Sequence, residues 1–164
     1  MKNLNDLLLR FLKDMYYAEQ RALRSVPQML AAAQSQALRQ AVEQQAQATR
    51  NHVAQLEKVF EAVGKRPEGE TCEALLGMVK EAEDLLKETG QAGPVQDAGL
   101  IAGMRAMQRY AIARYGSLLA WATQMGQQQA VDALQQVLDA SKEADAAFSR
   151  LATTGVNQAA TGRA

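Results

Sequence analysis

Apolar residues recur at intervals of three and four along most of the chain, the spacing that places them on one face of an α-helix. Four long segments show this pattern, at about residues 4–29, 37–63, 94–126 and 127–154. Pro27 interrupts the first pattern and predicts a kink near the end of that helix. The pattern therefore predicts four long amphipathic helices.

A shorter helical pattern lies between the second and third long segments. Residues 64–71 are polar, Thr71 is a candidate N-cap for a helix from about Cys72 to Glu88, and Gly90 would end that helix. Short loops favour antiparallel neighbours, and one long crossover within four helices is the ferritin-like topology. We predict an all-α, ferritin-like four-helix bundle with a short extra helix in the long crossover, over residues 1–154. Residues 155–164 lose the pattern and are predicted to be a disordered tail.

Composition and charge narrow the function classes. The 164 residues suffice for one domain, and 18 basic residues balance 18 acidic ones without a basic stripe, which argues against a nucleic-acid partner. No apolar stretch is long enough to span a membrane or to act as a signal peptide, so no membrane partner is expected. The single Cys72 excludes an internal disulfide and fits a reducing compartment. The expected location is the cytoplasm.

Polar residues that interrupt the apolar faces are the candidates for chemistry. These residues are Glu19, Gln108, Ser141 and Asp145. A buried carboxylate is costly unless it is paired, hydrogen-bonded or bound to a metal. Arg50 and Arg109 lie beside the apolar faces, and a guanidinium group can hold a carboxylate with two hydrogen bonds. An internal ion pair is therefore one explanation of the two acids.

A metal site is the other explanation. A ferritin-like di-iron site takes a Glu from each of two helices and a Glu-x-x-His from each of the other two. This sequence contains no Glu-x-x-His, and its one histidine, His52, follows Thr49 by three residues. A lone histidine beside a helical stripe is typically a surface or interfacial side chain. The residues themselves favour a polar cluster over a di-metal site.

Four stretches resemble the YciE/YciF-type bacterial stress proteins of the ferritin-like superfamily. They are residues 17–20 (Tyr-Ala-Glu-Gln), 64–82, 97–102 (Asp-Ala-Gly-Leu-Ile-Ala) and 110–118 (Tyr-Ala-Ile-Ala-Arg-Tyr-Gly-Ser-Leu), in order and at matching spacing. The resemblance implies a cytoplasmic helical bundle, commonly dimeric, that is induced in general or oxidative stress responses and is proposed to bind iron.

The resemblance also implies where the metal ligands would lie. The glutamate of the first helix is present as Glu19, whereas the Glu-x-x-His of the second helix falls on Gln47 and Arg50, so both of these ligands are replaced. A Glu-to-Gln change removes an anionic ligand and keeps its shape. A His-to-Arg change places a fixed positive charge where a cation would bind.

The last two bundle helices show similar replacements. The family carboxylates of the third long helix fall on Gln108 and Ala111, with a neighbouring histidine at Arg109. The acidic cluster of the last helix falls on residues 139–141, and Asp145 remains acidic. The former metal-site positions are therefore expected to form a buried polar cluster of Glu19, Gln47, Arg50, Gln108, Arg109, Ser141 and Asp145.

These observations predict a stress-associated ferritin-like protein with a degenerate di-metal site and no cofactor. We expect a non-enzymatic structural or protein-interaction module, a homodimer that pairs through the first helix and the crossover helix, with a further protein partner. One alternative is an iron- or manganese-binding oxidoreductase, a ferroxidase or peroxide-handling enzyme, with non-standard ligands such as Glu19, Asp139, Asp145 and His52. Another is a binder of small ligands or proteins that uses the former metal cavity as a polar pocket.

Overall fold

The computed structural model describes residues 1–162, which form helices and no β-strand. The helices are α1 (Leu4–Ala32), α2 (Gln36–Ala62), α3 (Glu73–Thr89), α4 (Pro94–Gln124), α5 (Gln128–Leu151) and α6 (Asn157–Ala160). A kinked π-helical turn, Ala152–Val156, joins α5 to α6. The all-α class and the five predicted helices are confirmed, with bounds that differ by a few residues.

Local chemistry explains where the helices begin and end. The side chain of Asn3 accepts a hydrogen bond from the backbone N–H of Asp6 at 3.0 Å and caps α1. Gly64 and Gly90 follow α2 and α3 with φ of 68° and 70°, a left-handed conformation that glycine adopts without steric cost. α1 continues beyond Pro27 to Ala32, so the proline does not end the helix.

The cap of α3 differs from the predicted one, and the turn between α1 and α2 is held by a residue of another helix. The residue before α3 is Cys72 rather than Thr71, and its side chain makes no capping hydrogen bond. The turn between α1 and α2 is instead held by Asp97 of α4, whose carboxylate accepts from the backbone N–H groups of Gln34 (2.7 Å) and Ser35 (2.8 Å). A buried aspartate on another helix thus accepts hydrogen bonds from the two backbone N–H groups that immediately precede α2.

The bundle consists of α1, α2, α4 and α5, and α3 covers one side. α1 packs on α2 and α4, and α5 packs on the same two helices. α3 lies against α4 and reaches α1, because Cys72, Leu75 and Val79 form an apolar cluster with Ala18. The long connection through α3 carries the chain back along the bundle, which is the ferritin-like crossover that the sequence predicts.

Two apolar clusters fill opposite halves of the bundle. The first is centred on Leu12, Phe60, Tyr115, Leu118 and Leu134. The second includes Leu38, Val42, Ile101, Met104 and Phe148. Between these clusters lie buried polar residues from all four bundle helices, and those of α1, α4 and α5 are the ones that interrupt the apolar pattern.

The C-terminal segment is more ordered than its sequence pattern suggests. The prediction of a disordered tail at 155–164 is wrong for residues 155–160, because Val156 is buried in the second apolar cluster and α6 follows it. The rest of the predicted tail includes residues 163 and 164, which lie outside the described residues. Within residues 1–162, no helix combines the length and the apolar character that a membrane-spanning segment needs.

Candidate functional site

A layer of buried polar side chains crosses the bundle between the two apolar clusters. We call this layer the polar belt, and it comprises Glu19, Thr49, His52, Gln108, Ser141 and Asp145. Every one of these residues is at most 8% exposed. Each bundle helix contributes at least one member, so the belt is the natural place to look for chemistry.

Glu19 is the centre of the belt. Its Oε1 atom accepts a short hydrogen bond from the hydroxyl of Tyr115 on α4 and lies 3.2 Å from Nδ1 of His52 on α2. One carboxylate oxygen therefore links three helices. Burial raises the pKa of Tyr115 well above its usual value of 10, and the charge and hydrogen bond of Glu19 raise it further. Tyr115 is consequently a neutral hydrogen-bond donor at physiological pH.

His52 is held by one ring nitrogen only. When Nδ1 donates to Glu19, the other nitrogen of the neutral ring, Nε2, is an acceptor. Nε2 is fully buried and has no hydrogen-bond partner within the described part of the chain. A buried polar atom without a partner is uncommon and costly, and among the belt residues this nitrogen is the side-chain atom that is both fully buried and unpaired within residues 1–162.

Asp145 marks the other end of the belt, where α5 meets α4. Its two carboxylate oxygens contact Nε of Arg105 at 3.1 Å and Nη2 of Arg109 at 2.7 Å. Arg105 and Arg109 are four residues apart and therefore lie on one face of α4. Ser141 lies one turn earlier on α5 and donates to the backbone oxygen of Val137 at 2.9 Å. Both polar residues of α5 thus have partners within the chain.

The structure brings together only part of the predicted buried cluster. Glu19, Gln108, Ser141 and Asp145 are buried as expected, and Arg109 pairs with Asp145 from a largely exposed position. Gln47 and Arg50 do not belong to the cluster, because both are exposed and Arg50 donates to Gln47 at 3.3 Å on the outer surface. A guanidinium group therefore neutralises Asp145, whereas Tyr115 and His52 are the partners of Glu19.

The error on α2 is one of helical register. Each residue advances roughly 100° around a helix, so Gln47 lies roughly 160° from Thr49, and Arg50 lies as far from His52. The inward pair with Glu-x-x-His spacing is Thr49 and His52, both 3% exposed. The expectation that His52 is a surface or interfacial side chain is wrong. The signal was present, because Thr49 lies on the apolar stripe itself and His52 precedes the buried Leu56 by four residues.

Sequence reasoning also missed Tyr115 as a partner of Glu19 and Arg105 as a partner of Asp145. Tyr115 lies on the apolar stripe of α4, where a tyrosine is indistinguishable from an ordinary core aromatic residue. Its position seven residues, or about two turns, after the inward Gln108 was the available signal.

The belt residues do not fit a di-metal centre. Such a site takes four carboxylates and two histidines. In the belt, Glu19 is the carboxylate that is not paired with an arginine, and His52 is the histidine beside it. Thr49 and Ser141 offer hydroxyls, Gln108 offers an amide, and Asp145 already carries two arginines. Across residues 1–162, no group of three or more His, Cys, Asp or Glu side chains is placed to hold a metal ion.

A cavity of about 80 Å³ adjoins the belt between α1, α2, α3 and α4. Its wall includes Glu19, Thr49 and Gln108 from the belt, and the rest of the wall is mainly methionine, alanine and other apolar side chains. Neither Arg50, which is exposed on α2, nor Ser141 belongs to this wall. The space is therefore an apolar cavity with a polar end rather than a polar pocket.

Comparisons with known proteins agree with this architecture. The chain is 29% identical over 165 residues to protein YciF of Escherichia coli K12, a match that covers 100% of this chain and 99% of YciF. The crystal structure of YciF, described as a stress protein, superposes with a TM-score of 0.90 over 96% of this chain and 99% of that one. YcfI from Rhodopseudomonas palustris, for which a structural role has been suggested, matches at 34% identity with a TM-score of 0.87, over 90% and 94% of the two chains.

These matches confirm the resemblance to the YciF-type proteins that the sequence motifs indicate. The match to the family extends over residues 3–161, nearly the whole chain. The chain belongs to the family described as domain of unknown function DUF892.

Proposed function

We propose that this chain is a stress-associated, cytoplasmic ferritin-like protein with a non-enzymatic structural or protein-interaction role. In this proposal, hydrogen bonds and ion pairs of the polar belt take the place of a di-metal site. The similarity to YciF, described as a stress protein, and to YcfI, with its suggested structural role, supports the association with stress and structure.

The observation that carries the proposal is the way in which the two buried acids of the belt are held. Asp145 contacts two guanidinium groups, which repel any cation that would approach it. Glu19 is held by a neutral hydroxyl and by an imidazole, and both groups occupy the same carboxylate oxygen. In a di-iron bundle, metal ions neutralise the buried acids. In this proposal, arginine, tyrosine and histidine side chains of the same chain hold them.

Metal analysis tests the proposal directly. The full chain, purified without chelators and then incubated with Fe²⁺ or Mn²⁺ under anaerobic conditions, is expected to retain far less than one equivalent after desalting. Retention of about two equivalents per chain, the stoichiometry of a di-metal bundle, would overturn the proposal. As a positive control, the variant T49E/Q108E restores carboxylates on the inward faces of α2 and α4, and we expect it to retain more metal than the unmodified chain.

A metal-dependent oxidoreductase is the second candidate, and one observation favours it. Glu19 and His52 lie together at the centre of the bundle, and the Nε2 atom of His52 has no hydrogen-bond partner among residues 1–162. If these residues bind iron, His52→Ala and Glu19→Gln must each reduce the retained iron and any oxidation of Fe²⁺ by oxygen or peroxide. Activity that both variants preserve would not come from this site.

The expected homodimer remains a proposal. In this proposal α1 and the crossover helix α3 supply the pairing surface, to which half-buried apolar side chains such as Leu4 and Leu7 of α1 and Leu76 of α3 would contribute. Sedimentation velocity at micromolar concentration tests the dimer, and a monomer throughout would contradict it.

A further inference from the structure

The cavity beside the polar belt has a wall of unusual composition. Its apolar part includes four methionines, Met15, Met29, Met104 and Met107. A second space of about 30 Å³ adjoins it beneath α3 and shares Met29, Met104 and Met107 with it. Methionine is flexible and polarisable, so these side chains can adjust around an inserted group and favour contact with an aromatic ring.

The size of the two spaces suits one small molecule. An apolar protein cavity of about 150 Å³ is known to accept benzene. The larger space, of about 80 Å³, is smaller than this, so its flexible methionine side chains must move to admit an aromatic ring. Apolar walls disfavour water, and an empty apolar cavity destabilises the fold around it. A small apolar guest would restore the lost contacts.

One end of the cavity offers hydrogen bonds. Glu19 accepts its two hydrogen bonds on Oε1, and a carboxylate has acceptor sites for further donors. Gln108 is only 8% exposed, lines the cavity, and makes no side-chain hydrogen bond with the rest of the described chain. The amide of Gln108 is therefore available to a ligand or to water in the cavity.

α3 covers part of the cavity. Leu75 and Val79 of α3 form part of the wall, and they are the two residues that α3 itself buries. Because this helix buries so little, its displacement would open the cavity at less cost than separation of two bundle helices.

We propose that this cavity binds a small, neutral aromatic alcohol of about the size of phenol. The ring lies among the methionines, and the hydroxyl donates to Glu19 and accepts from the amide of Gln108. The negative charge of Glu19 disfavours a carboxylate ligand in the same space. The proposal goes beyond the structural role proposed above and does not depend on metal binding at the belt.

Calorimetric titration of the full chain with phenol tests the proposal. We expect saturable binding of one phenol per chain with a Kd of about 1 mM or tighter, as befits a ligand with so few atoms. Toluene, which has a similar shape but lacks the hydroxyl, is expected to bind about fivefold more weakly. Benzoate is expected not to bind. Phenol that does not saturate, or that binds no better than toluene or benzoate, would overturn the proposal.

Three variants test where phenol binds. Ala111 lines the cavity and Ala113 is exposed on the same helix, so Ala111→Leu should abolish phenol binding and Ala113→Leu should preserve it. Gln108→Leu should keep toluene binding and remove most of the preference for phenol. Phenol binding that persists in Ala111→Leu, once circular dichroism has shown that this variant folds, would contradict the site. If Ala111→Leu does not fold, an unchanged phenol preference in Gln108→Leu is the contradicting result.

Discussion

Glu19 receives both of its hydrogen bonds on one carboxylate oxygen, from the hydroxyl of Tyr115 and from the ring of His52. Glu19→Ala leaves both buried groups without this acceptor, and we expect a loss of roughly 3–5 kcal/mol in the free energy of unfolding. Glu19→Gln keeps a carbonyl oxygen and should cost about 1–2 kcal/mol. Urea unfolding measures both losses. Equal and negligible losses for the two variants would show that the carboxylate is not the acceptor that joins these helices.

His52 and Arg50 test the corrected register of α2. His52 is 3% exposed, so His52→Ala removes a buried ring and a partner of Glu19, and we expect a loss of about 2–4 kcal/mol. Arg50 is exposed and contacts only Gln47 among belt candidates, so Arg50→Ala should change stability by no more than about 0.5 kcal/mol. The same urea experiment compares the two. A larger loss for Arg50→Ala than for His52→Ala would indicate that Gln47 and Arg50 face inward, as the family motif implies.

The raised pKa values of Tyr115 and Tyr110 predict a loss of stability at alkaline pH. Burial and Glu19 raise the pKa of Tyr115 well above 10, and burial, with a hydrogen bond to Cys72, raises the pKa of Tyr110 to about 12. Above pH 10 the unfolded chain releases these protons and the folded chain retains them, so stability falls as pH rises from 10 towards 12. Below pH 10 the contribution is fully present.

The alkaline effect can be assigned by substitution. Tyr115→Phe should lose less stability between pH 10 and pH 12 than the unmodified chain, because one raised pKa has been removed. Chemical unfolding at several pH values measures this slope. An unchanged slope in Tyr115→Phe would mean that its hydroxyl titrates normally and is not held by Glu19.

At the scale of helices, local sequence patterns are enough to predict most of the architecture. The apolar stripes, the glycines after α2 and α3, and the long crossover predict the five main helices and their topology. The end of the chain was harder to predict, because Val156 follows Gly155 in a short segment with no repeat of the apolar spacing. Its burial depends on contact with the second apolar cluster, a tertiary effect that no local pattern contains.

The C-terminal segment should therefore contribute to stability. Val156→Ala removes two buried methyl groups from the second apolar cluster and should cost about 1–2 kcal/mol. Gln158→Ala alters an exposed side chain on α6, the short helix that follows Val156, and should change stability by less than about 0.5 kcal/mol. Thermal unfolding of the two variants provides the comparison. Equal midpoints would mean that the segment is not packed against the bundle.

At the scale of the whole molecule, the polar belt separates two apolar clusters that each hold all four bundle helices together. Four of the six belt residues could be recognised in the sequence as interruptions, and Arg109 could be offered as a partner of Asp145, but the partners of Glu19 could not be identified. Glu19 pairs across 96 residues with Tyr115 and across 33 with His52, and such distances depend on how the helices are rotated against each other. A family motif guided the choice of Gln47 and Arg50, whereas the apolar stripe of α2 indicated Thr49 and His52.

This separation suggests that the clusters, rather than the belt, determine the fold. Replacing Glu19, His52 and Tyr115 together by Met, Leu and Phe keeps similar volumes and removes every unsatisfied polar atom of this trio. Exchange of a buried polar group for packed apolar residues is often neutral or stabilising by about 1–4 kcal/mol, even where each single change is harmful. We therefore expect the triple variant to unfold cooperatively at a urea concentration equal to or above that of the unmodified chain. A compact state that binds a hydrophobic dye and lacks near-ultraviolet circular dichroism would instead show that the belt is needed for unique packing.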